Sequence, residues 1–334
     1  MKQDHYADVG LFPGKSTALG VLGFILFLVS LPLYLPEYNF YLLNLMIAHV
    51  IIVVGLNILA GGTGQISLGH AGFFAIGAYG TVLLMQKLGI PFIPALVLAG
   101  FIAAFFGFVV GLPALKLEGP YLSIATLAFG LAITHIIGHV DIFGGRTGIQ
   151  APPLDLGIPQ WGLSYVLSSD VQKYWLFLVV ALLMAAGARN IMKTRVGRSF
   201  KAIRDSNVAA GVMGINTTAT KVGAWAISAG ITGFAGGVWA YWITFIEPAS
   251  AFDPSIGVKG YIMLILGGMG TVIGPVLGAF VLEFLSTLVW GGFLQAHQIV
   301  FGILIVLICL VAPNGMLGAG RSLIQRWRSR HGAA

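Results

Sequence analysis

The sequence predicts an all-α integral membrane protein, a polytopic bundle of about eight spans plus a broken, re-entrant helix pair. Three observations carry this. Hydrophobic residues make up 57% of the chain and charged residues 9%, against about 25% charged in soluble domains. Apolar runs of span length recur along the chain, and mean hydropathy reaches +0.93. Two of those runs are interrupted by similar glycine-rich stretches, GGTGQISLG at 61–69 and GGMGTVIG at 267–274. They read as a weak internal repeat of the kind transporters carry.

A span needs about 20 mainly apolar residues. The chain offers Leu19–Leu35, Phe40–Ala60, Ile66–Met85, Phe92–Leu112, Tyr121–Val140, Tyr174–Ala188, Ala219–Ile246 and Gln298–Val311. Residues before Leu19 are polar and no small-residue cleavage site follows the first run, so it reads as a retained span. Lys and Arg in short loops set orientation. The stretch 189–218 holds Arg189, Lys193, Arg195, Arg198, Lys201 and Arg204 against Asp205, and the tail 313–334 holds Arg321, Arg326, Arg328 and Arg330. Both are expected in the cytoplasm, lying on anionic lipid or on a partner. The loop 141–173, with Asp141, Asp155 and Asp170, and the segment EPASAFDP, with Glu247 and Asp253, are expected outside. Gly260–Trp290 must then enter and leave on one side, turning at GGMGTVIGP. Residues 1–334 read as a single transmembrane domain.

The net charge of +7 is accounted for by these topogenic loops and calls for no nucleic acid. Cys309 is the sole cysteine, which excludes an internal disulfide and a cysteine metal cluster. GLFPGKS at 10–16 has three residues between its glycines where a phosphate loop needs four, so no nucleotide site is expected here. No HExxH, Ser–Lys or paired-acid arrangement points to an enzyme. His135 and His139 stand i, i+4 before Asp141; without a further ligand at defined spacing they read as interfacial, with no metal or other cofactor. Trp225, Trp239, Tyr241, Trp242 and Trp290 read as interface aromatics.

Irregular backbone at membrane depth is tolerated only where protein buries it or where it lines a watery cavity. Gly61, Gly62 and Gly64 allow a left-handed turn. Thr63, Gln65 and Ser67 supply donors and acceptors, and His70 follows. Two readings stand: a solute path, or close helix packing with His70 bonded to a neighbouring helix. The second break offers Gly268, Gly270 and Thr271 to the same path. Glu283 lies in an apolar run, where a carboxylate is costly. It either takes part in the path or an interface, or sits near the outer boundary. In RSFKAIRDSNVAAGVMG, Arg198, Ala202, Arg204 and Asp205 precede the small residues Ala209, Ala210 and Gly211, then Gly214. Small residues flanked by Val208, Val212 and Met213 suit a short helix seated in a partner's groove.

GLNILAGGTGQISLGHAGFFAIGAYG (55–80), VGRSFKAIRDSNVAAGVMGINTTATK (196–221), GGMGTVIGPVLGAFVLEFL (267–285) and APNGMLG (312–318) together resemble the permease subunits of branched-chain amino-acid ABC importers, M-type. The blocks occur in the family's order and cover most of the chain. Gly211 departs from the pattern, standing where many relatives carry an acid. The resemblance implies a multi-pass permease of a bacterial or archaeal cytoplasmic (inner) membrane. It further implies a second permease subunit, two ATP-binding subunits and an extracytoplasmic substrate-binding protein, and assigns Arg198–Gly214 to ATPase coupling. The substrate would be a branched-chain or related amino acid, with urea, short amides and aromatic acids as alternatives. A stand-alone secondary transporter or channel is the competing class; it would require coupling-ion ligands, and Glu283 is nearly alone among embedded acids.

Overall fold

The computed structural model describes residues 15–292 except 118, 154, 156–165 and 272, and also 302, 306, 315 and 316. Helix α1 (Lys15–Ser30) and helix α2 (Tyr38–Leu56) are joined through a 3-10 turn at Leu31–Leu33, where Pro32 sets the backbone. Beyond Leu56 the helix widens into a π turn at Asn57–Gly61 and stops at Thr63. Residues 64–67 form no regular structure. Helix α3 (His70–Leu88) then closes on Gly89 in the left-handed conformation, the usual helix stop. Helices α4 (Phe92–Ala114) and α5 (Pro120–His139) follow, then the short strand β1 (Ile149–Gln150).

Helix α6 (Asp170–Lys193) starts in a capping box made by Ser169 and Gln172. Two short helices come next, α7 (Arg195–Asp205) and α8 (Asn207–Val212), capped by the side chains of Thr194 and Ser206. Helix α9 (Thr217–Ile243) is capped by Asn216 and leads to strand β2 (Phe245–Ile246), which pairs antiparallel with β1. Helices α10 (Pro248–Ala251), α11 (Ser255–Gly267) and α12 (Ile273–Gly292) complete the described order.

Six described helical segments are long and apolar enough to cross a membrane: Tyr38–Gly61, His70–Leu88, Phe92–Ala114, Pro120–His139, Asp170–Lys193 and Thr217–Ile243. Each overlaps an expected span, with shifted boundaries: Asp170–Lys193 extends the expected Tyr174–Ala188 at both ends. The third begins at His70 rather than Ile66, because residues 64–67 are irregular, with Gly64 at positive φ. The expected Leu19–Leu35 run is divided between α1 and the 3-10 turn. Helix α11, with 13 residues, is about 20 Å long, short of the roughly 30 Å hydrocarbon core. It doubles back into α12 through the turn at 268–271. The expected span Gln298–Val311, with Cys309, lies outside the described residues apart from 302 and 306. So does the tail 313–334 apart from Gly315 and Met316, and so do residues 10–14 of GLFPGKS.

The centre of the bundle is α3, α4 and α9, packed through small residues. A Cβ placed on Gly77 would strike the Gly233 carbonyl, and one on Gly236 the Phe74 carbonyl. Such close approach is how membrane helices gain packing energy, since lipid removes the hydrophobic drive between them. This core also corrects the reading of the aromatics. Trp225, Tyr241 and Trp242 are buried; Trp225 packs by His70 and Phe73, and Tyr241 stacks edge-on with Phe92. They fill the gaps that glycine and alanine leave. The two ends of the bundle differ. β1, β2 and α10 gather at one, where Gln86 near the end of α3 donates to the Gln150 carbonyl at 2.6 Å. At the other, α7 reaches the end of α2.

Candidate functional site

The two glycine-rich breaks lie against each other, joined by bonds between residues 213 and 214 positions apart. Asn57 joins them. Its Nδ2 donates to the Thr271 carbonyl at 2.7 Å, and its Oδ1 accepts from the Gly270 amide at 2.9 Å. Asn57 is the first residue of the π turn. A π turn opens the i→i−4 ladder and is common at functional sites; here it swings one amide side chain onto the backbone of the second break. Gly61 is glycine because of this contact: a Cβ there would lie 2.7 Å from the Gly270 nitrogen. Gly61 and Gly62 remain helical, and of the first three glycines only Gly64 takes positive φ, at 74°. In the second break Gly268 and Gly270 do so, at 106° and 81°. Thr271 caps its own turn, donating to the Gly268 carbonyl and accepting from the Gly274 amide.

Arg204 reaches the same point from α7. Its Nη1 donates to the Gly61 carbonyl at 2.7 Å. Gly270 faces that nitrogen so closely that an added Cβ would lie 2.5 Å from it, and Gly64 rests on the Arg204 stem. One side chain of the expected coupling segment therefore touches both breaks. The helix that carries it is amphipathic: Gly197, Phe200 and Ile203 are buried while Arg195, Arg198, Lys201 and Asp205 are exposed. Arg198 donates to the Lys193 carbonyl at 3.3 Å. Ala202 is half-buried, and Asp205 and Ala209 are exposed. Ala210 faces inward, whereas Val208, Val212 and Met213 are exposed at 77%, 82% and 82%. Gly211 meets nothing within 4 Å, and Gly214 turns the chain at φ 83°.

A second polar group lies just beyond the first break. Ser228 on α9 has one hydroxyl hydrogen, which it gives to the Gly55 carbonyl at 2.7 Å. It must therefore accept from His70 Nε2, 2.8 Å away. His70 Nδ1 is then an acceptor for the Ser67 hydroxyl at 2.9 Å. This assigns the Nε2–H tautomer of a neutral imidazole. Thr63 donates to the Leu59 carbonyl at 2.7 Å and lies 3.2 Å from Gln65 Oε1. Thr63, Gln65, Ser67, His70 and Ser228 are all buried. A satisfied network of this kind rigidifies its surroundings, and leaving one member unpaired is costly.

Glu283 is elsewhere, buried among α2, α11 and α12. Lys259 Nζ lies 2.7 Å from its Oε2, and His49 Nδ1 lies 3.8 Å away. The carboxylate thus has a cation on its own chain.

Asn57, Ser228, Lys259 and His49 escaped the sequence reading. Asn57 had a visible signal, an amide four residues before a glycine pair in an apolar run. Lys259 had another, a lone cation a helical hairpin away from a lone acid. Ser228 and His49 offered none. Among the described residues no group of three or more His, Cys, Asp or Glu is placed to hold a metal ion.

The architecture is that of a polytopic membrane transport protein with discontinuous helices. The chain belongs to the family described as branched-chain amino acid transport system / permease component, whose profile matches residues 38–309. It is similar to the LivM high-affinity branched-chain amino acid permease proteins of Escherichia coli, 32% identical over 87% of this chain and 72% of that one, and of Salmonella typhimurium, 30% identical over 90% and 74%. It is also similar to the LivH permease of Salmonella typhimurium, 27% identical over 86% of this chain and 96% of the relative. The likeness therefore runs to the M-type subunit. No solved structure matches significantly. The chain is a multi-pass protein of the cytoplasmic membrane.

Proposed function

We propose that this chain is the M-type permease subunit of an ABC importer for branched-chain or related amino acids. It forms the translocation path with a second permease subunit. Two separate ATP-binding subunits dock at α7–α8 and hydrolyse ATP on their own chains, and an extracytoplasmic binding protein delivers substrate at the opposite end. The observation that carries this is the Arg204 contact: one arm of α7 holds the Gly61 carbonyl beside Gly270. A helix terminus leaves carbonyls unsatisfied, and a charge-assisted bond to one is stronger than a neutral one. Displacing α7 must move or release both breaks. Exposed Val208, Val212 and Met213 on the same segment offer apolar surface to a partner groove.

In this reading the breaks line the path and the ATP-binding subunits supply the work. Eight spans flank one re-entrant pair, and the permease makes no covalent change in its substrate. Glu283 is held for the same path by Lys259. The test is reconstitution with the partner subunits. Substrate uptake should require ATP hydrolysis, and Arg204→Ala should retain nucleotide hydrolysis while uptake per ATP falls about tenfold or more, as loss of a charge-assisted contact implies. Solute movement by the purified chain without any ATP-hydrolysing partner would sink the proposal.

A further inference from the structure

Among the described residues, three cavities of similar size differ sharply in lining. One of about 410 Å³ between α1, α2, α6 and α12 is wholly apolar. Another of about 530 Å³ between α3, α4 and α5 is nearly so. Both suit acyl chains or a packed neighbour. The third, about 480 Å³, lies at the β1–β2 end between α5 and α10 and carries both signs of charge: Arg146, Glu247 and Asp253, with His139, over an apolar wall that includes Leu131 and Pro254. Small-molecule sites are mostly of 300–1,000 Å³, apolar with a few directed polar groups. A chain with only 9% charged residues places three of them around one hollow.

The polar groups are oriented. His139 Nδ1 donates to the His135 carbonyl at 2.8 Å, which makes its Nε2 an acceptor. Arg146 Nη2 donates to that nitrogen at 3.2 Å. A guanidinium has five N–H donors, so His139 steers it without cancelling its charge. Asp253 Oδ1 accepts the Ser255 amide at 2.7 Å, which holds its carboxylate in place.

We propose that this cavity is a loading site for the head group of a free amino acid. Arg146 takes the carboxylate, Asp253 the ammonium, and Leu131 and Pro254 an apolar side chain. A planar guanidinium matches a carboxylate in two parallel bonds, and a neutral solute such as a short amide would satisfy neither charge. The proposal rests on the importer reading for the class of substrate. It adds a stop on the permease itself, before the helix breaks.

The test uses the complete importer, with its partner subunits, in lipid nanodiscs. A diazirine analogue of leucine is the probe, and ATP-driven leucine uptake is measured in parallel. Photolabel is expected on residues 131–139 or 247–254 and should be competed by leucine. Arg146→Gln should reduce it about tenfold or more, with Arg146→Lys restoring part, as expected where a bidentate charged contact is replaced by a point charge. Leu131→Trp, which fills the hollow from its exposed side, gives an independent variant and should also abolish label. Uptake by the wild type with no label in these segments, or label undiminished by both Arg146→Gln and Leu131→Trp, overturns the loading site alone. Label at the cavity without ATP-driven uptake supports the site and overturns the importer reading.

Discussion

The two breaks share a glycine spacing and lie a hydrogen bond apart, yet they are built on opposite plans. The first, from Asn57 to Gly69, is satisfied with side chains: Thr63, Arg204 and Ser228 bond backbone carbonyls, and Ser67 and His70 hold Ser228 in place. The second, from Gly267 to Gly274, is closed mainly by backbone approach. A Cβ on Gly267 would overlap the Gly274 carbonyl, and one on Gly278 the Met263 carbonyl. The contrast teaches that a helix can be interrupted in lipid in two ways. Side-chain partners can be exchanged for others, so the first break can change shape and stay satisfied. Close-packed glycine backbone has no such freedom, so the second acts as a rigid post. Arg204 and Asn57 bind the adjustable break to the rigid one.

Breaking the post should have the largest effect. Gly267→Ala pushes a methyl into the α11–α12 contact, and overpacking against backbone costs about 3 kcal/mol or more. The expected outcome is loss of folded, monodisperse protein in detergent, and thermal melting by tryptophan fluorescence checks it. Severing the tie comes next. Asn57→Ala strands the half-buried Gly270 amide and Thr271 carbonyl, at about 1 kcal/mol for each. Melting should fall by several degrees, and a cysteine placed at Met269 should react faster with a thiol probe.

Weakening the adjustable break alone should do less. Ser228→Ala leaves His70 Nε2 and the Gly55 carbonyl without their shared partner. The expected loss is about 1–3 kcal/mol, softened where neighbouring groups can re-pair, with ATP-driven uptake reduced rather than abolished. The smallest effect is expected at Gly64. An added methyl there meets only the flexible Arg204 stem, so the loss is the left-handed backbone penalty of about 1–2 kcal/mol. A melting shift for Gly64→Ala as large as that for Gly267→Ala would erase the distinction between post and hinge.

Much of this fold was legible from local pattern. Six helical segments coincide with apolar runs because lipid demands both length and hydropathy from each span by itself. The breaks were legible for the same reason, since glycine, threonine and glutamine in such a run announce loosened backbone. Trp225 and Tyr241 were misplaced, because an aromatic at a membrane surface and one plugging a glycine-lined core have the same local sequence. His70 was visible as a buried polar group, but its tautomer depends on Ser228, 158 positions away.

Hydropathy and small-residue spacing therefore established a helical membrane bundle with two interruptions and an amphipathic arm, since each of these properties belongs to neighbouring residues and to the solvent they face. They could not pair the interruptions. Asn57 and Thr271 stand 214 residues apart, and Arg204 meets Gly61 across 143. Hydrogen bonds are short and directional, so which distant groups share one is settled only when the helices between them have packed.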